Sequence, residues 1–78
     1  MNISVAKKEP RAVAVSLSEE SLCVRLADGR EISVPLEWLP RLRDASPQAR
    51  NNWRLIGGGI GIHWEELDED LSVEGLLS

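Results

Sequence analysis

Apolar and polar positions alternate near the start of the chain. After Arg11, the residues Val13, Val15 and Leu17 share one parity while Ala12, Ala14 and Ser16 take the other, a period of two that predicts a β-strand. A polar turn, Ser18-Glu19-Glu20-Ser21, separates this strand from a second alternation through Leu22, Val24 and Leu26. Asp28-Gly29 comes next, a pair that tolerates the positive φ of tight hairpin turns. Ile32 and Val34 carry a third strand, with Glu31 and Ser33 facing out. Three successive strands joined by short turns predict an antiparallel meander.

The pattern changes at Pro35. Leu36-Glu37-Trp38-Leu39 predicts a helical turn interrupted by Pro40, and the spacing of Leu39 and Leu42 lets both side chains point inward. Ser46-Pro47 predicts a helix start, because the serine caps a free backbone N–H and proline at the first helical position forfeits no hydrogen bond. That helix is short, from Pro47 to Asn52. Trp53-Arg54-Leu55-Ile56 reads as a fourth strand and Gly57-Gly58-Gly59 as a turn. Ile60, Ile62 and Trp64 alternate with Gly61 and His63 in a fifth strand that pairs with the fourth, and a glycine inside a strand predicts a bulge or a close backbone approach. Leu71, Val73, Leu76 and Leu77 predict a last short helix that starts near Asp70 or Ser72. The expected fold class is α+β: a mostly antiparallel sheet, order β-β-β-α-β-β-α, with helical segments covering one sheet face. Residues 1–10, polar-leaning and closed by Pro10, are expected to form a flexible N-terminal arm, and residues 11–78 a single domain.

Composition narrows the picture. A chain of 78 residues allows one domain, and a core of this size supplies roughly 3–5 kcal/mol of stability. Cys23 has no intrachain mate for a disulfide, and one Cys with one His cannot fill a tetrahedral zinc site, so neither staple is expected and no metal or cofactor is implied. Phe and Tyr are absent, which leaves Trp38, Trp53 and Trp64 as the aromatics expected to anchor the core. No apolar run approaches the roughly 18 residues of a membrane span, and the first ten residues lack the apolar stretch of a secretory signal. With a lone cysteine, these features fit a cytoplasmic protein. The net charge of −4 argues against a general nucleic-acid binder.

Few residues form a constellation with chemistry. Gly57-Gly58-Gly59-Ile60-Gly61 lacks the Lys of a Walker loop, and the third glycine of a dinucleotide loop falls at Ile62, so a hairpin turn is the better reading. Cys23 and His63 could act as nucleophile and base only if they met in space beside an orienting group, and nothing local activates Cys23. The acidic stretch Glu65, Glu66, Asp68, Glu69 and Asp70 does not match a calcium loop, because Val73 stands where glycine is needed. It reads as a solvated face or as a docking site for a basic partner. Arg41, Arg43, Arg50 and Arg54 form the opposite bias, and pair either with phosphates or, the favoured reading, with the domain's own acids. No enzymatic activity is expected.

Several segments together resemble a bacterial family, domain of unknown function 2442. They are Asp28-Gly29, the run Val34-Pro35-Leu36-Glu37-Trp38-Leu39-Pro40-Arg41-Leu42, the run from Ala45 to Trp53, and Gly61-Ile62-His63-Trp64 followed by Leu67-Asp68-Glu69-Asp70. The resemblance runs from about Arg11 to the last residue. Glu65 stands where the family often has proline, and Ile60 where it often has an aromatic residue. The resemblance implies a small α+β domain and no established activity. It also implies a neighbour, since members commonly occur beside domain of unknown function 4160, as in a toxin–antitoxin-like pair. The expected function is a non-enzymatic protein-interaction module, the antitoxin-like half of such a pair. One alternative is a small acidic inhibitor from a mobile element or phage that occupies a basic nucleic-acid-binding protein. The other is direct nucleic-acid binding through Arg41, Arg43, Arg50 and Arg54, which the charge disfavours and which lacks the added helix-turn-helix of some relatives. Partner-binding candidates are Trp38, the four arginines, His63, Glu65, Glu66, Asp68, Glu69 and Asp70. A homodimer is a further expectation, because sheet edges and uncovered apolar surface favour pairing in small domains.

Overall fold

The computed structural model describes residues 10–77. Apart from Pro10, the expected N-terminal arm lies outside the described residues. The α+β architecture holds, with its strands divided between two three-stranded antiparallel sheets. The first contains Ala12–Leu17 (β1), Ser21–Leu26 (β2) and Glu31–Pro35 (β3), in the order β1-β2-β3. A 3-10 turn at Leu36–Trp38 and two short helices, Pro40–Arg43 (α1) and Pro47–Arg50 (α2), lead to the second sheet. That sheet contains Trp53–Ile56 (β4), Gly61–Trp64 (β5) and Glu69–Ser72 (β6), followed by a helix at Val73–Leu77 (α3).

The local chemistry follows the expected rules at most joints. Ser46 accepts a hydrogen bond from the Ala49 N–H at 3.1 Å, with Pro47 opening α2. Pro40 does not end a helix as the sequence implies; it begins α1, where its missing N–H costs nothing. In the β2–β3 hairpin only Gly29 takes a positive φ, +97°. Its N–H donates to the Leu26 carbonyl at 3.0 Å, and the Leu26 N–H donates to Arg30 at 2.8 Å, which gives a three-residue loop in place of a two-residue turn.

Two elements depart from the expected pattern. In β1, Ala12 lies opposite Leu26 and Ala14 opposite Arg25, so two steps on β1 match one step on β2. This β-bulge leaves Val13 without a cross-strand partner and turns it outward, 54% exposed, while Ala12 is buried. The second departure is β6, a sixth strand in the segment that reads as the approach to the last helix. Glu69 to Ser72 pair with Trp64 to Gly61, and the helix begins only at Val73.

The inner faces of both sheets meet in one core. Leu22, Val24, Leu26 and Ala12 from the first sheet join Ile62 and Trp64 from the second, together with Leu36, Leu42 and Val73. Arg11 and Gly59 fasten the sheets at the glycine turn. Arg11 Nη1 donates to the carbonyls of Gly57 (3.4 Å) and Gly58 (3.3 Å). The Val73 N–H donates to the Ile60 carbonyl at 2.9 Å, which extends the β5–β6 pairing by one rung and closes the far side of the turn. Gly59, at φ +105°, lies so close to β1 that a Cβ there would sit 2.5 Å from the Ala12 carbonyl oxygen. Gly61 is the close approach expected from its place in a strand, since a Cβ would meet Ile56 Cγ1 at 3.0 Å.

Leu22 is fully buried at the centre of this core. Leu22→Ala is predicted to cost about 2–5 kcal/mol, against the roughly 3–5 kcal/mol available to a domain of this size. The variant should therefore be largely unfolded at ambient temperature by far-ultraviolet circular dichroism. Gly59→Ala should destabilise the domain by more than about 1 kcal/mol, and Gly29→Ala, which has nothing within 4 Å of the added Cβ, should cost less. Urea unfolding compares the two.

Candidate interaction surface

The second sheet carries Arg54, His63 and Asp70 on the face turned away from the core, while Glu69 shares the inward rung of Trp53 and Trp64. Its register places Arg54 opposite His63 and His63 opposite Asp70, so three chemically distinct side chains share one rung. The rungs on either side send Trp53, Leu55, Ile62, Trp64 and Leu71 inward. His63 is largely sequestered, its side chain 18% exposed. Its Nδ1 contacts the Asp70 carboxylate and its Nε2 lies 3.3 Å from Glu65 Oε1. Arg54 Nη2 approaches the same Glu65 oxygen at 3.5 Å. Both ring nitrogens of His63 thus face carboxylates of its own hairpin. Cys23 lies in the other sheet, opposite Ser16 and Ser33, with its Sγ 3.8 Å from Ser33 Oγ. The two groups of the conceivable dyad are held by different partners in different sheets. Among the described residues, no three His, Cys, Asp or Glu side chains are arranged to hold a metal ion.

The four arginines are each engaged within the domain. Arg50 is the most deeply integrated: its Nε donates to the Leu42 carbonyl at 2.9 Å and its Nη2 to Arg43 at 3.0 Å, which satisfies the C-terminal end of α1. Arg41 reaches the β5–β6 turn, where Nη1 donates to the Leu67 carbonyl at 3.0 Å and Nε lies 3.6 Å from Glu69. Arg43 makes a two-point contact with Asp44 at 3.0 and 3.2 Å. Arg54 takes Glu65, as above. The acidic stretch is correspondingly divided. Glu65, Glu69 and Asp70 are paired inside the domain, while Glu66 and Asp68 are exposed at the hairpin tip, where Asp68 adopts φ +50°.

Trp38 corrects an expectation. The sequence assigns all three indoles to the core, yet Trp38 is 73% exposed while Trp64 is fully buried and Trp53 packs against the core edge. The difference follows from the 3-10 turn: Leu36 and the α1 residue Leu42 take the inward positions, which leaves the intervening indole facing water. This segment is tied to two turns. The Leu36 N–H donates to the Glu20 carbonyl in the β1–β2 turn at 2.9 Å, and Arg41 holds the β5–β6 turn. The Glu19–Glu20 turn is therefore joined to the segment that carries Glu37 and the indole. Nothing in the linear sequence joins Glu20 to Trp38; only the fold supplies that proximity.

Two carboxyls have distinct acidities. Asp28 is held below the usual carboxylate range by the Arg30 backbone N–H and by the Arg30 guanidinium, at 3.0 and 2.8 Å. Asp44 is lowered by its hydrogen bond to Arg43, whose own acidity falls in return.

Comparison with known proteins places this geometry in a family. The profile described as "Protein of unknown function (DUF2442)" matches residues 12–78. A crystal structure of a protein of unknown function from Rhodospirillum rubrum is similar, with 35% identity, coverage of 90% of this chain and 87% of that one, and a TM-score of 0.77. The solution structure of an uncharacterised protein from Chromobacterium violaceum is similar at 25% identity, with 95% and 70% of the two chains covered and a TM-score of 0.75. No functionally curated protein matches the chain.

The arginine contacts differ in their expected weight. Arg54→Ala should change stability by less than about 1 kcal/mol, because both partners of its ion pair are mostly exposed. Arg50→Ala should cost more, since it strips donors from two backbone carbonyls. Urea titration of both variants checks the order. The lowered acidity of Asp28 also fixes a sign. The unfolded chain binds its proton more readily, so the stabilisation is present above the ordinary aspartate range and is lost as pH falls towards the lowered folded-state value. Asp28→Asn should flatten the acid limb of the stability profile measured by thermal melts.

Proposed function

We propose that this chain, which belongs to the DUF2442 family, works as a non-enzymatic protein-interaction module, the partner-binding half of a small two-gene pair of toxin–antitoxin type. The observation that carries the reading is the exposed indole of Trp38. Tryptophan is costly to leave in water and is enriched among the residues that dominate binding energy at protein interfaces. Among the described residues Trp38 is the most exposed of the large apolar side chains, 73% against 54% for Val13.

The pairing pattern supports this reading over the two nucleic-acid ones. Charge mimicry calls for the carboxylates from Glu65 to Asp70 on one free surface, whereas three of them are engaged by Arg41, Arg54 and His63. Direct phosphate binding calls for available guanidinium groups, whereas Arg41, Arg43 and Arg50 donate to acceptors of this chain and Arg54 forms an ion pair with Glu65. No helix among the described residues is long and apolar enough to cross a membrane. The proposal places the pair in the cytoplasm, where a lone thiol such as Cys23 stays reduced.

The test is co-expression of this chain with the product of its neighbouring gene, a DUF4160-like protein, followed by co-purification and titration calorimetry. Association at micromolar concentration or tighter is expected. Trp38→Ala should weaken it by at least about 2 kcal/mol while leaving the thermal midpoint of the free domain nearly unchanged. Purified components that fail to associate would remove the reading.

A further inference from the structure

The end of the domain that bears Trp38 has a definite charge. Glu19 and Glu20 lie in the turn bonded to Leu36, Glu37 precedes the indole, and Glu66 and Asp68 cap the turn held by Arg41. All five are exposed, and none makes a side-chain hydrogen bond or ion pair among the described residues. The nearby cations are already committed: Arg41 to Leu67 and Glu69, and Arg43 to Asp44 with a smaller electrostatic pull from Glu37. The exposed indole therefore stands on a segment that is bonded to one acidic turn and tied through Arg41 to another, where carboxylates outnumber the arginines.

From this arrangement, and resting on the partner-binding reading above, we propose that the Trp38 end receives a cationic segment of the partner protein, with an arginine or lysine side chain lying over the indole and its neighbours facing the carboxylates. Charge decides between this occupant and an apolar one. A hydrophobic partner seated on Trp38 would draw water away from the bordering carboxylates and return no counter-charge, a cost that grows with burial. A cationic segment neutralises the border and relieves its mutual repulsion. A cation over an indole face adds an attraction that a leucine does not, and a planar guanidinium stacks on that face as well. The same acidic border opposes a second copy of the chain bringing an identical end to this one.

The probe is a capped octapeptide of alternating arginine and glycine, added to the full isotope-labelled chain and followed by amide and indole nuclear magnetic resonance. Peptides with leucine or glutamate in place of arginine serve as comparators. Saturable shifts are expected at the Trp38 indole N–H and at the amides of Glu19, Glu20 and Glu37, for the arginine peptide alone. Trp38→Ala should lower the affinity by about threefold to thirtyfold, and the variant's otherwise unchanged spectrum shows that it remains folded. The triple variant Glu19→Gln, Glu20→Gln, Glu37→Gln should weaken binding and reduce its dependence on salt. Equal binding of the leucine peptide, shifts centred on the Arg54–His63–Asp70 rung, self-association lost on Trp38→Ala, or no binding would each overturn the proposal. If the probe fails while co-purification with the neighbouring gene product persists, the cationic partner is wrong and the interaction module stands.

Discussion

Burial of the Trp64 indole is the constraint on which both sheets depend. A three-stranded sheet of four- to six-residue strands buries too little on one face to stand alone, so the two sheets must share a core. Trp64 sits in that shared space with no exposure, and it is the largest fully buried side chain. Its polar atom is also satisfied: Nε1 donates to the Arg50 carbonyl at 2.8 Å. Without that acceptor, a buried indole N–H would oppose folding. The same Arg50 extends its guanidinium to Leu42 and Arg43. One residue thus connects the core of the second sheet to the C-terminal end of α1 and holds the inter-sheet segment in place.

The distribution of surface chemistry follows from this packing. Once α1 and α2 are fixed, Arg41 can reach the β5–β6 turn and Arg54 can meet Glu65 across the hairpin. The outer face of the second sheet becomes a closed network of ion pairs, modest in energy because it is largely exposed. What the packing leaves open is the short segment between β3 and α1. Leu36 of this segment and Leu42 of α1 are taken inward by the core, and Trp38 between them is turned out on a segment bonded to the acidic β1–β2 turn.

Much of this was legible in the sequence, for a physical reason. The strands β2 and β3 are half-buried, so their alternation records their orientation directly, and the Ser46-Pro47 start of α2 carries its own cap. The bulge at Val13 is invisible because its alternation is intact; only pairing with β2 shows that one residue is extra. The strand β6 is hidden because two of its four residues are acidic and it borders the apolar residues of α3. Glu69 lies on the inner side because it pairs with Trp64, and Arg41 meets its carboxylate there at 3.6 Å. For the surface, residue type pointed to Trp38, the arginines and the acidic hairpin. Which charges are consumed internally, and that Glu20 approaches the Trp38 segment, are consequences of tertiary contacts that no linear spacing encodes.

The most direct measurement of the central claim uses the three tryptophans as reporters. Fluorine resonance of the 5-fluorotryptophan-labelled chain gives one signal from each indole, assigned by single Trp→Phe replacements and recorded with and without the neighbouring gene's product. If Trp38 is the anchor of the interface, its signal is the most open to solvent in the free domain and loses that exposure in the complex, while the Trp64 signal stays in place. A Trp38 signal that remains solvent-exposed in a saturated complex would contradict the account.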